Sequence, residues 1–127
     1  SDDVASLLIG VVMNPERRIY PRVNVAIPAE LITQSSDSVE VMLINLSVGG
    51  MLVEGGEDMV AMKPPVEGAP LELYLHFGLE TQAVHCHCRV VYSRRQSQQC
   101  VQFGLSLLSI DHQALECLQT YINAQLK

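Results

Sequence analysis

A mainly β fold, a six-stranded antiparallel β-barrel carrying a C-terminal α-helix, is what this 127-residue chain predicts. Three observations lead there. Short runs of apolar and polar residues alternate with a period of two, as strands with one buried face do. Polar and glycine-bearing turns separate those runs at short spacing. After Asp111 the period changes to steps of three and four, the stripe of an amphipathic helix.

In chain order, Val4 to Met13 is dense in apolar residues and reads as a packed strand or short helix; residues 1–15 are expected to be an N-terminal segment or linker, and 16–127 the domain. Val23, Val25 and Ile27 alternate over Val23–Leu31, a first strand. Pro28 lacks a ladder donor, which predicts an edge position or a bulge there. Gln34–Ser38 is turn-like. Val39–Asn45 and Met51–Glu54 read as the second and third strands, and Gly55–Pro70, with three prolines, as a loop. Leu71–His76 alternates with its leucines inward, Gln82–Ser93 is a long strand, Arg94–Gln98 a polar hairpin loop, and Gln99–Leu108 the last strand. Leu115, Leu118, Ile122 and Leu126 mark the helix, with Ser109 or Asp111 able to cap it and the stripe expected to pack on the barrel.

Composition narrows the class. The length suits one domain whose core needs no disulfide or metal staple. Trp is absent, so the core must come from Val, Leu, Ile, Met and Ala. Val4–Met13 lacks a basic leader and is too short to span a bilayer, so neither a secretory signal nor membrane insertion is expected. Cys86, Cys88, Cys100 and Cys117 show no disulfide-framework spacing and are read as reduced thiols of a cytoplasmic protein. His85-Cys86-His87-Cys88 raises a metal site, but strand alternation sends the histidines to one face and the cysteines to the other, and no second ligand cluster is visible, so no metal is expected.

Charge singles out one stretch. The net charge is −6, yet Arg17-Arg18-Ile19-Tyr20-Pro21-Arg22 gathers three of the eight positive side chains into six residues. The guanidinium fork matches phosphate oxygens or the N7 and O6 edge of guanine with paired hydrogen bonds that lysine cannot reproduce. Pro21 bars Tyr20 from helix, so Arg18 and Arg22 belong to an extended, partly stiffened segment. A long nucleic acid would meet a protein of pI about 5.0, and three arginines are a small footprint for one, so a compact anion fits better. The bland alternative is a solvated basic lead-in.

The second stretch is Asn45-Leu46-Ser47-Val48-Gly49-Gly50. Asn offers donor and acceptor together, Ser an adaptable hydroxyl, and Gly49 and Gly50 permit close backbone approach. These groups can read a base edge and hold a sugar-phosphate, although they are also ordinary tight-turn chemistry.

Arg18-x-x-x-Arg22 followed by Asn45-x-Ser47-x-x-Gly50 resembles the paired signature, RxxxR then D/NxSxxG, of the PilZ domain family, bacterial receptors for cyclic di-GMP. Cys88–Tyr92 as a late strand, Phe103–Leu105 in the last, and the closing helix are similar to that family too. The resemblance implies a PilZ-type barrel over residues 16–127, no enzymatic activity, and a cyclic di-GMP site made of Arg17, Arg18, Arg22, Asn45, Ser47, Gly49 and Gly50. Arg18 and Arg22 would clamp guanine and phosphate, Asn45 and Ser47 would read base and ribose-phosphate, and Gly50 would be the position that bears no side chain. Arg17, preceding the motif, implies two stacked ligands per protomer rather than one. Ordering of the arm would then relay the signal to a protein partner, an adjoining domain or a homodimer contact, with motility and biofilm formation among the family's usual outputs. The alternative is a degenerate adaptor that keeps the barrel without binding nucleotide. An enzyme is disfavoured, since no nucleophile–base pair or carboxylate pair appears.

Overall fold

The computed structural model describes residues 20–126. Six strands, β1 (Val23–Ile32), β2 (Ser38–Leu46), β3 (Gly50–Gly55), β4 (Glu72–Leu79), β5 (Gln82–Ser97) and β6 (Cys100–Ile110), form a closed barrel in the order β1-β2-β3-β6-β5-β4, every pair antiparallel. A single helical turn, α1 (Glu57–Val60), follows β3, and α2 (His112–Gln125) follows β6. The predicted mainly β barrel with a C-terminal helix is therefore what the chain forms.

Alternation places the core. On β4, Leu73, Leu75, Phe77 and Leu79 point inward, and on β5 Val84, Cys86 and Cys88 do so, while His85 lies outside. Leu31, Leu43, Met51 and Val53 meet them from the other wall. Each fully buried side chain of this size contributes roughly 1.5–3 kcal/mol, which is how a core without tryptophan suffices. The histidine–cysteine split is as alternation requires. Cys88 donates to Cys86 Sγ at 3.9 Å, and that hydrogen bond together with burial pushes the Cys88 thiol far up. It is an inert core group.

Three details differ from the sequence reading. The bulge in β1 lies between Asn24 and Ile27, and Pro28 itself pairs with Met42. Pairing with β4 starts only at Ala29, so Pro28 stays an edge residue toward β4 within an otherwise closed barrel. The interval after Gly55 is not all loop: α1 buries Met59 completely beneath Gly55, whose Cβ would stand 2.5 Å from its sulfur. Finally, β5 does not stop at Ser93. It runs on to Ser97 as a two-stranded ribbon with β6, pairing Arg94 with Gln102 and Arg95 with Val101.

Helix α2 starts at Asp111, whose carboxylate accepts from Ala114 N at 3.2 Å, satisfying one of the orphan donors of the first turn. Its buried line is Ala114, Leu118 and Ile122, with Leu126 half exposed. That line joins the barrel core. Residues 1–19, which include the predicted N-terminal segment, Arg17 and Arg18, lie outside the described residues.

Candidate functional site

The β2–β3 turn is a closed circuit of hydrogen bonds. Ser47 is buried, at 3% exposure, and its hydroxyl accepts from Gly49 N and Gly50 N and donates to Gly50 O, each at 3.1 Å. Ser47 N also donates to Gly50 O at 2.9 Å, and Leu107 N of β6 donates to Gly49 O at 3.0 Å. The Ser47 hydroxyl and the Gly49 and Gly50 N–H groups are thus spent on the turn's own shape, the condition for burying them without penalty. Gly50 pairs with Ser106, and a Cβ there would collide with the Leu105 carbonyl oxygen. Glycine is needed at that position to let β3 approach β6, before any ligand is considered.

Asn45 lies half-buried on the barrel's outer surface just before this turn. Its Oδ1 accepts from Arg22 Nη1 at 3.1 Å across 23 positions of sequence. Backbone pairing supports the meeting, because Asn24 lies opposite Asn45 in the β1–β2 ladder. The last arginine of the basic segment and the first residue of the turn motif are thereby on one side of the molecule. Tyr20 reaches the same turn: a Cβ on Gly49 would stand 2.6 Å from its Cδ2.

The same outer face continues around the barrel. Asn45 pairs with Leu52, Leu52 with Gly104, and Gly104 with Tyr92, one row across β2, β3, β6 and β5. At the inter-strand spacing of about 4.8 Å this row spans about 14 Å. The Tyr92 ring lies flat over Gly104, where any Cβ would overlap it, and Arg94 caps that ring with Cζ 5.3 Å from its centroid. The row therefore runs from an amide and a guanidinium at one end to an aromatic ring and a guanidinium at the other, across an apolar floor.

Of the seven residues singled out in the sequence, five are described, and their positions form one corner: Arg22 exposed, Asn45 at the rim, and Ser47, Gly49 and Gly50 beneath. Sequence reasoning places Tyr92 within the Gln82–Ser93 strand without a role, and takes Arg94 by default as a solvated hairpin tip, the alternative being an extension of the basic surface. What joins them to the row is the pairing of Tyr92 with Gly104, which no local pattern marks. A groove of about 340 Å³ lined by Tyr20, Pro21, Val48, Gln119, Ile122 and Asn123 adjoins the corner. A larger hollow of about 430 Å³, lined by Val39, Glu40, Gly56, Glu57, Asp58 and Gln99, lies at the opposite end of the β2–β3 hairpin. Its three carboxylates would repel a phosphate. Among the described residues no three His, Cys, Asp or Glu side chains gather to hold a metal, and no helix is long and apolar enough to cross a membrane.

A family model described as the PilZ domain matches residues 16–124. Among solved structures, the chain is similar to the cyclic di-GMP-bound PilZ domain of YcgR from Escherichia coli, at 14% identity and TM-score 0.64, covering 87% of this chain and 92% of that one. It is also similar to the Bacillus subtilis inhibitor of motility MotI/DgrA, at 18% identity and TM-score 0.66, covering 87% of this chain and 52% of that one. PlzA of Borreliella burgdorferi in complex with cyclic di-GMP aligns at 12% identity and TM-score 0.64, over 90% of this chain and 44% of that one. The chain thus spans about half the length of two of these neighbours. No curated protein sequence matches it.

Proposed function

The chain belongs to the PilZ domain family, and from that premise we propose that it is a receptor for cyclic di-GMP, without catalysis of its own, whose basic arm closes over the nucleotide at the Asn45–Gly50 corner. The observation that carries this reading is the Arg22 to Asn45 hydrogen bond, 3.1 Å long, which brings the two signature segments into contact. Solved PilZ neighbours that hold cyclic di-GMP support it.

In this reading Arg22, with Arg18 four positions before it in sequence, supplies paired donors to guanine and phosphate. Asn45 exchanges its arginine partner for a base edge, and Ser47, Gly49 and Gly50 hold the corner in shape. The apolar floor of Leu52 leads to Tyr92, and the Arg94 guanidinium carried over its ring offers a planar cation on which a further guanine can stack. Arg17 adds a third guanidinium, which favours two stacked ligands per protomer. Ordering of the arm transmits binding to whatever adjoins it, a partner protein, another domain or a second copy. The motility inhibitor among the structural neighbours makes control of motility the first output to examine.

Calorimetric titration with cyclic di-GMP, with cyclic di-AMP and linear pGpG as controls, tests the proposal. The expected result is selective binding with stoichiometry near two, a loss of about 100-fold for Arg18→Ala or Arg22→Ala, in the range of removed charged anchors, and a stoichiometry of one for Arg17→Leu. No heat above that of the controls would sink the receptor reading. A stoichiometry of one in the unaltered protein would remove only the second ligand.

A further inference from the structure

Gly49 stands outside the Asn45-x-Ser47-x-x-Gly50 signature, yet it faces the one aromatic side chain of the arm among the described residues. Its Cα side is open, and Tyr20 fills it: a Cβ at this position would lie 2.6 Å from Tyr20 Cδ2 and 2.9 Å from Cε2. Gly49 cannot retreat. Its N–H is held by Ser47 Oγ at 3.1 Å and its carbonyl by Leu107 N of β6 at 3.0 Å. The seat is therefore fixed, and the ring belongs to the movable partner. Pro21, next in chain, limits how far that partner can swing, and Arg22 follows directly with its hydrogen bond to Asn45. Tyr20 also lines the groove beside α2, together with Val48, Gln119 and Asn123.

We infer that Tyr20 is a positioning residue: seated in the notch left by Gly49, its ring latches the arm to the turn and presents Arg22 at Asn45 before any ligand arrives. Two separate anchors, a ring contact and one hydrogen bond, then hold three consecutive residues, and the ordering of this part of the arm is paid ahead of binding. The purpose of the latch rests on the receptor reading above, because presenting Arg22 matters only to an anionic ligand. Its existence does not.

The test uses the full chain as the unaltered protein, Tyr20→Ala, Tyr20→Phe, Gly49→Ala and the double variant Tyr20→Ala/Gly49→Ala. Without ligand, nuclear Overhauser contacts between the Tyr20 ring and the Gly49 α-protons, and amide exchange at Arg22 and Val23, report the latch directly. The contacts are expected in the unaltered protein and in Tyr20→Phe, and exchange at Arg22 should quicken in both Tyr20→Ala and Gly49→Ala. With cyclic di-GMP, Tyr20→Ala should weaken binding about tenfold, the scale of lost preorganisation, at an unchanged thermal midpoint, while Tyr20→Phe keeps full affinity. Gly49→Ala should weaken it comparably, and the double variant no further than either single one, since both remove the same contact. Additive losses, absent ring contacts in the unaltered protein, or unaltered exchange in Tyr20→Ala would each overturn the latch. Failure of the unaltered protein to bind cyclic di-GMP would instead remove the receptor reading, and the ligand-free measurements would still decide the latch.

Discussion

The Asn45–Gly50 turn and the Tyr20–Arg22 arm touch each other, but opposite means hold them in place. The turn is locked by hydrogen bonds to itself and to β6, with its serine buried and its last glycine wedged against the Leu105 carbonyl. The arm has an exposed hydrogen bond to Asn45 and a ring resting in a notch. One is a template that costs stability to alter. The other is held by exposed contacts, so in the proposed receptor its alteration costs affinity instead. The proposal uses both, since preformed shape lowers the entropy lost on binding while an exposed cation leaves the ligand room to enter.

The largest effect expected of a single change in the template is that of Gly50→Ala. Its Cβ meets backbone rather than a side chain tip, so the β3–β6 register must shift, and urea unfolding should show a loss of about 3 kcal/mol, the upper end of overpacking costs. An unchanged midpoint would mean that the turn is softer than its hydrogen bonds imply. Ser47→Ala comes next. It strands the Gly49 and Gly50 N–H groups in a buried place, and about 2 kcal/mol should disappear from the same measurement.

The arm should behave differently under that assay. Arg22→Ala removes an exposed bond, so stability should change by less than about 0.5 kcal/mol even though cyclic di-GMP affinity collapses. A comparable loss of stability would erase the distinction between template and arm. Tyr92→Ala sits between the two. It uncovers Gly104 but leaves the turn intact, so affinity is expected to drop by about tenfold, near the value of one lost stacking contact, with the corner's amide shifts unaltered.

The smallest effect concerns a patch remote from both. Burial first, and then the neighbouring His85, lowers the His76 pKa below its usual 6.5, while Glu30 partly opposes them. The unfolded chain therefore takes up this proton first as pH falls, so the contribution is intact above about 6.5 and is lost toward the lower folded value. Acidification from pH 7.5 to 5.5 should cost slightly less thermal stability in His76→Gln than in the unaltered protein. Neither the turn nor the arm should respond. A shift of the Arg22 or Ser47 resonances in that titration variant would couple regions that the structure separates.

Local pattern carried much of the fold. Val23–Ile27, Leu71–His76 and the helix after Asp111 each keep one face apolar at a period set by backbone geometry, and such periods survive in a bare sequence. The reading failed where that period is interrupted. In β5 the register shifts between His87 and Cys88, between Val90 and Tyr92, and between Arg95 and Ser97, and beyond Val90, whose N–H still reaches Leu71 O, the strand has only β6 beside it. Its residues there are exposed on both faces, so no alternation marks them as strand. Buried Met59 was hidden for a related reason, because a one-turn helix is too short to show a period. At the site, the two motifs were visible as residue types at a suitable spacing, whereas the rings of Tyr20 and Tyr92 over Gly49 and Gly104 had no local signature.

By itself, then, the chain's order of residues determined most of the strands, the closing helix and the two motifs of arginines, amide, hydroxyl and glycines, because these follow from interactions within a few residues or from a repeating face. Only the tertiary structure decided that Ser47 spends its hydroxyl inside the turn, that Gly50 answers to the Leu105 carbonyl, that Gly49 answers to Tyr20, and that Tyr92 shares a row with Asn45. Those assignments depend on closure of the barrel, which brings distant strands to hydrogen-bonding distance and so sets which atoms compete for the same space.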